Sequence, residues 1–317
     1  MKWVYCLVGF AAMILASQLS LSKPLLLQQL HFSQAVYDEE RHLLRLTLTP
    51  DEKYRIYTPL DKISPLLIEA TLLQEDQYFY QHRGVNPIAL IKAFWQTYVL
   101  RTRPIGASTI TMQVARMRDG IYSKTISGKL WQIIRAVQLE LFYSKQEILE
   151  AYLNLASYGG NIEGVGAAST IYFAKAASQL NLLEALSLSV IPQNPSKRVL
   201  NPKHAKNLQR ARHQLFQRWV KEHPVDHDKS ALIDLPLQLM KNHVPFLAPH
   251  FVDWVLQSSK PSEIISSLNL KLQTTIEKTT RQYLEQEQVH GIHNAAVLLL
   301  DVRNMEVKAL IGSANFF

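Results

Sequence analysis

The sequence has a single cysteine, Cys6, in 317 residues. No internal disulfide can form, and no cysteine metal cage is available. An H-E-x-x-H spacing is also missing, which removes a common helical zinc signature. No internal repeat or low-complexity run appears, so solenoid and disordered classes fall away. Acids are scarcer than bases: 26 Asp and Glu stand against 34 Lys and Arg, a formal charge of +8. That balance favours anionic partners such as nucleic acid, phospholipid or phosphorylated substrates. The scarcity is sharpest between Arg83 and Arg135. Nine Lys and Arg lie there (Arg83, Lys92, Arg101, Arg103, Arg116, Arg118, Lys124, Lys129 and Arg135), and Asp119 is the one acid among them.

What is present points to a packed, mainly helical chain. Apolar residues make up 47%, enough for one large or two medium domains with ordinary cores. Lys2 precedes an apolar stretch from Trp3 to Ala16, with a weaker tail to Ser22. The stretch suits an uncleaved signal anchor over residues 1–22, so the remainder of the chain is expected outside the cytoplasm. "HLLRLTLTP" alternates Leu44, Leu46 and Leu48 with Arg45, Thr47 and Thr49, which predicts a short β element within 32–60.

Helix-start signals then come in quick succession. Ser64-Pro65 and Asn86-Pro87 place a cap before a proline. Ser108 can cap a third helix, and Leu130 to Leu141 mark a fourth. Ser144 with Glu147, and Asn181 with Glu184, are capping boxes. A long amphipathic helix is predicted from about Lys203 to His223. Residues 224–265 read as a linker with a short helix. Residues 266–317 read as one helix and a hairpin turning at Arg303-Asn304, too little to stand alone.

One stretch carries chemistry. In "QEDQYFYQHRGV", Glu75 shares a helix face with Ile68, Thr71 and Leu72. Desolvation there raises a carboxyl toward a useful acid–base range. A solvated helix end explains the same residues equally simply. The basic belt would draw a diphosphate toward Glu75. "GASTITMQVAR" (Gly106 to Arg116) offers small residues, hydroxyls, an amide and a guanidinium, and a helix start there would present backbone N–H groups to an anion. A capped helix and a solvated basic face are the plainer readings.

Together, "EDQYFYQHRGV", "GASTITMQVAR", "SKQEILEAYLN", "GVGAASTIYFAK" and "IPQNPSKRVLNP" resemble the ordered motifs of the peptidoglycan glycosyltransferases (glycosyltransferase family 51) of class A penicillin-binding proteins. The wording is most like the 1C type. The resemblance implies a lysozyme-like glycosyltransferase domain over 61–223, and an incomplete transpeptidase-like part over 266–317 as a small α/β stub. It implies polymerisation of lipid II into β-1,4-linked glycan with release of undecaprenyl diphosphate. In motif terms Glu75 is the catalytic base. Asp76, Phe79, His82, Gly106, Ser108, Thr109, Gln113, Arg116, Lys129 and Gln132 are implied to bind substrate.

The motif's usual Glu falls at Gln132 here, and its Arg falls at Gly128. Arg116 stands where many members have Lys. No S-x-x-K occurs downstream of residue 265, so penicillin binding and cross-linking are not expected. No protein-held metal is expected, although the chemistry leaves room for a divalent cation, Mg or Mn, at the diphosphate. The implied partners are lipid II, nascent glycan on undecaprenyl diphosphate, the inner membrane and other cell-wall synthesis proteins, with no nucleic acid. The implied place is a single-pass protein of the bacterial inner membrane with its catalytic domain on the periplasmic face. The alternatives are a lytic transglycosylase or lysozyme-like hydrolase, and a non-catalytic cell-wall scaffold.

Overall fold

The computed structural model describes residues 23–95, 108–123, 125–198, 200, 204–235, 237, 244–259 and 261–316. The anchor expected over 1–22 lies outside these. Among the described residues no helix is long and apolar enough to cross a membrane. The chain forms two compact units, Met1–Leu30 with Tyr57–Leu239, and His31–Ile56 with Met240–Phe317.

The second unit supplies the first two strands of the chain. β1 (Ala35–Tyr37) pairs antiparallel with β2 (Leu43–Leu46), Ala35 facing Leu46. Leu44 and Leu46 are buried, as their alternation requires, whereas Leu48 lies beyond the strand and is half exposed.

The chain then builds the helical unit. It runs through α1 (Pro65–Glu75), α2 (Pro87–Phe94), α3 (Ile110–Asp119), α4 (Ile126–Phe142) and α5 (Lys145–Leu155). A small ribbon of β3 (Ser157–Gly159) and β4 (Ile162–Glu163) precedes α6 (Val165–Phe173), α7 (Leu182–Val190), the single turn α8 (Pro195–Arg198) and α9 (Ala205–Glu222). Both capping boxes form: Ser144 and Glu147 open α5, and Asn181 and Glu184 open α7. α1 packs on α7 and α9, and α3 packs on α4 and α5. Leu67, Ala70 and Leu73 are buried on α1. Each buried leucine contributes about 1.5–3 kcal/mol. Asn154 on α5 clamps the extended segment before α1, accepting from Thr58 N and donating to Thr58 O, both at 2.9 Å.

Two start signals work differently from their sequence form. Ser64 precedes α1 but makes no cap bond; its hydroxyl donates to Leu180 O at 3.0 Å. The cap of α3 is Thr109, not Ser108, and it accepts from Met112 N at 3.1 Å.

After α10 (Ser230–Ile233), the chain returns to the strand unit with α11 (Pro249–Ser258), β5 (Glu263–Ile265), α12 (Leu270–Glu287) and the hairpin β6 (Val297–Asp301) and β7 (Glu306–Ile311). β5 joins β1 in parallel, Ala35 facing Glu263. Residues 224–265, expected as a linker with a short helix, hold that helix as α11, and also a strand, β5, that joins β1. Phe251 and Val252 pack there with Val36 and Leu44. The segments 32–60 and 266–317 were expected apart; 31–56 and 240–317 make one unit. Neither piece alone can bury an apolar face, so they share one.

Candidate active site

Glu75 is the last residue of α1, where the helix ends at its cap residue, Asp76. It lines a cleft of about 1210 Å³ together with Ser108, Gln113, Arg116 and Gln193. Its Oε2 accepts from Gln113 Nε2 at 2.7 Å. Its Oε1 is buried with no hydrogen-bond partner. Burial pushes the carboxyl above its usual range; Gln113, Arg198, Gln193 and Arg116, in that order, pull it back. A helix C-terminus also disfavours negative charge. Two residues back, Arg218 on α9 donates to the Leu73 carbonyl, satisfying one of the helix's last free acceptors.

Asp76 turns inward. Its carboxylate accepts from His82 Nε2 at 3.0 Å and from Ile110 N at 3.0 Å. It thus ties the end of α1 to the start of α3, where a negative charge is favoured by the helix dipole. This changes the anion site expected from sequence. Of the N-terminal N–H groups of α3, Asp76 takes that of Ile110 and Thr109 takes that of Met112. Two of the N–H groups at this helix end are thus taken by the protein's own acceptors.

The remaining expected residues separate into two groups. Ser108, Gln113, Arg116, Asp76 and His82 line the cleft. Phe79, Thr109 and Gln132 are buried. Phe79 meets Tyr80 and His82 edge-on, and Lys145 Nζ lies 4.3 Å from its ring centre. Thr109 Oγ1 donates to Gly84 O at 2.5 Å. Gly84 has a φ of +81° and an added Cβ would lie 2.8 Å from Ala136 O, so glycine is required there. Gly106 lies outside the described residues, as do Arg101, Arg103 and Lys124 of the belt. Arg118 and Arg135 are bound to Asp119 at 3.2 and 2.6 Å. Among the described residues, Arg116 and Lys129 are the belt's cations at Glu75 and Ser108.

Lys129, in the first turn of α4, donates to Ser108 Oγ at 2.7 Å and to Gln132 Oε1 at 3.0 Å. Gln132 Nε2 donates to Met112 O at 2.6 Å. The amide at 132 is thus used at both ends, once as acceptor and once as donor, which a carboxylate cannot match. Burial, then the charge of Arg116, lowers the Lys129 amine from its usual range. Gly128 is equally constrained, since a Cβ would lie 2.0 Å from Tyr122 O. Gln132→Glu is expected to destabilise the fold by about 1–3 kcal/mol, by setting two acceptors against each other. It should also raise the lysine's proton affinity. Urea unfolding checks the first, and the alkaline limb of activity the second.

Sequence reasoning missed Arg198 and Gln193. Both lie in "IPQNPSKRVLNP" and act on Glu75, and Arg198 donates to Val190 O at 2.9 Å and Gln193 Oε1 at 3.0 Å. Their motif was the available signal; the contact itself depends on α7 and α8 packing near α1.

Among the described residues the donor set makes no protein-held cation site. Among the described residues no three His, Cys, Asp or Glu come together. Both Asp76 oxygens and the Gln132 oxygen are already engaged. A divalent ion at the diphosphate would be held by the phosphate oxygens.

The family described as Transglycosylase matches residues 40–219. The chain is 32% identical over 299 residues to penicillin-binding protein 1C of Escherichia coli, covering 92% of this chain and 38% of that protein. It is 28% identical over 298 residues to penicillin-binding protein 1A of Aquifex aeolicus, covering 92% of this chain and 40% of that protein. The chain thus spans about two fifths of the length of these relatives. The crystal structure of penicillin-binding protein 1A from Haemophilus influenzae aligns with a TM-score of 0.38 and 19% identity, over 87% of this chain and 33% of that one.

Proposed function

The chain belongs to the Transglycosylase family, and from that premise we propose that it is a membrane-associated peptidoglycan glycosyltransferase acting on lipid II. The observation that carries this reading is the pairing, in one cleft, of a desolvated carboxylate with a cationic cradle. Glu75 supplies the first; Arg116 and Ser108 line the same cleft, and Lys129 joins them through its hydrogen bond to Ser108. The fold proposed for the helical unit is lysozyme-like.

In this reading the acceptor sugar's 4-hydroxyl enters beside Glu75. Its proton passes to the carboxylate as its oxygen forms the bond to C1 of the donor sugar. The C1–oxygen bond to the diphosphate breaks, and the electron pair leaves with the lipid diphosphate. Arg116 and Lys129 offset the negative charge that develops there. With Oε1 buried, Oε2 is the oxygen left to take the proton, and Gln113 fixes its direction.

An apolar surface supports a membrane-bound substrate. Ile126, Leu130, Val137 and Leu141 of α4 are exposed and fall within about 60° of the helix circumference. Ile88, Ile91 and Trp95 are also exposed, and Ile88 lines the cleft. Such a face suits the boundary between headgroups and acyl chains. The anchor over residues 1–22, the periplasmic placement and other wall-synthesis partners complete the proposal.

The test is to give the purified chain lipid II in detergent and resolve the products by gel. Glycan polymer is the expected product. Release of soluble fragments from preformed sacculi without polymer would instead assign a lytic enzyme, and neither product would assign a scaffold.

A further inference from the structure

The cleft holds a second arginine that takes no part in the step at Glu75. Of the residues lining it, two are arginines, Arg116 and Arg218. Arg116 comes from α3, and Arg218 comes from α9, which packs on α1. One guanidinium N–H of Arg218 donates to the carbonyl of buried Leu73, two residues before Glu75. That bond fixes the group at the cleft wall, while the residue itself stays exposed. Glu222, one turn further along α9, accepts from Gln77 Nε2 at 2.7 Å. Among the described residues Arg218 makes no ion pair. The carboxylates that line the cleft are Glu75 and Asp76, and Asp76 is held by His82 and Ile110 N. A guanidinium has five N–H donors in a planar fork. A single carbonyl uses one of them and needs no charge to do so.

We propose that Arg218 is a second anion-binding post of the cleft, taking an oxyanion of the acceptor: its diphosphate or a carboxylate of its peptide. The inference rests on the reading of the cleft as a lipid II site. In that reading two lipid-borne substrates enter one cleft, and each carries a diphosphate. Arg116 and Lys129 serve the donor's diphosphate as it leaves. The acceptor brings like charge into the same cleft, and that repulsion disfavours the complex unless a separate cation offsets it. Arg218 is the remaining arginine of the lining, and it stands on a different helix from the cradle. An arginine fork suits phosphate and carboxylate alike, since both present two oxygens to parallel N–H groups. Its bond to Leu73 O ties the post to the last turn of α1. An anion seated there is held in register with Glu75 at the end of that helix.

The experiment measures, by calorimetry, the binding of two soluble probes to the full chain. One is inorganic pyrophosphate, and the other is a disaccharide pentapeptide without lipid or diphosphate. The wild type is compared with Arg218→Gln, in which glutamine keeps a donor for Leu73 O and removes the charge. If the post takes diphosphate, the wild type binds two pyrophosphates and the variant binds one. If it takes a peptide carboxylate, the variant binds the disaccharide pentapeptide about tenfold more weakly. A purely structural brace would lower Tm and leave both probes as in the wild type, and unchanged binding of both overturns the inference. If Arg218→Gln does not fold, Arg218→Lys decides. Loss of the planar fork should weaken the responding probe about threefold or more, and wild-type binding of both probes overturns the inference there too. Altered binding in a chain that makes no polymer from lipid II keeps the anion site and overturns the glycosyltransferase reading.

Discussion

Glu75→Gln should abolish most polymerisation and, at neutral pH, make the protein more stable. The first effect is the loss of a general base, about 10²–10⁴-fold in rate. The second arises from burial. The folded carboxyl titrates above its usual value, so the folded state binds its proton more tightly than the unfolded chain does. Wild-type stability therefore falls as pH rises from the ordinary carboxylate value through the raised one. Below that window the acid is neutral in both states, and the variant gains nothing. Polymer yield, with Tm of both proteins at pH 4 and pH 7, checks the pair of effects. A variant as active as the wild type removes the enzyme reading. A variant no more stable at pH 7 than at pH 4, relative to wild type, removes the argument from burial.

Lys129→Met is expected to cost about 10²-fold or more in rate, as loss of one charge-stabilising donor does elsewhere. Its Nζ binds Ser108 and Gln132, so the charge is held at the cleft edge by fixed partners. The wild-type profile should be a bell. Its acidic limb is the raised carboxyl of Glu75, and its alkaline limb is the lowered amine of Lys129. Lys129→Arg tests the second limb separately, because arginine keeps its proton at every accessible pH. Activity in that variant should be weaker but should not decline on the alkaline side. A full alkaline decline in Lys129→Arg would assign that limb to another group.

Local signals were legible in the sequence and distant ones were not. Both capping boxes could be read because donor and acceptor are three residues apart. Ser108 and Thr109 could not be told apart, since adjacent hydroxyls cap equally well. The choice is made from elsewhere, by Gly84 O accepting from Thr109 and by Asp76 accepting from Ile110 N. Phe79 read as a cleft aromatic, yet it is buried while Tyr78 and Tyr80 beside it are half exposed. Which of three consecutive rings turns inward depends on the single turn they form. Glu75 on an apolar face was visible from periodicity, but Arg198 and Gln193 beside it were not, because more than a hundred residues separate them. Gln132 looked like a defect in a motif. Its two hydrogen bonds make it a fitted part of this chain.

The parallel pairing of Ala35 with Glu263 also sets a timetable. On the ribosome β1 is made early and its partner strand only after the whole helical unit has emerged. At about 5–20 residues per second, β1 waits roughly 10–45 s for β5. By the end of that interval the helical unit has all of its chain and can bury its core. The strand unit holds one two-stranded piece with no partner for its apolar side. A ribosome stalled once residue 239 has cleared the exit tunnel, and before β5 has, should therefore present a protease-resistant helical unit and a cleavable 31–56 segment.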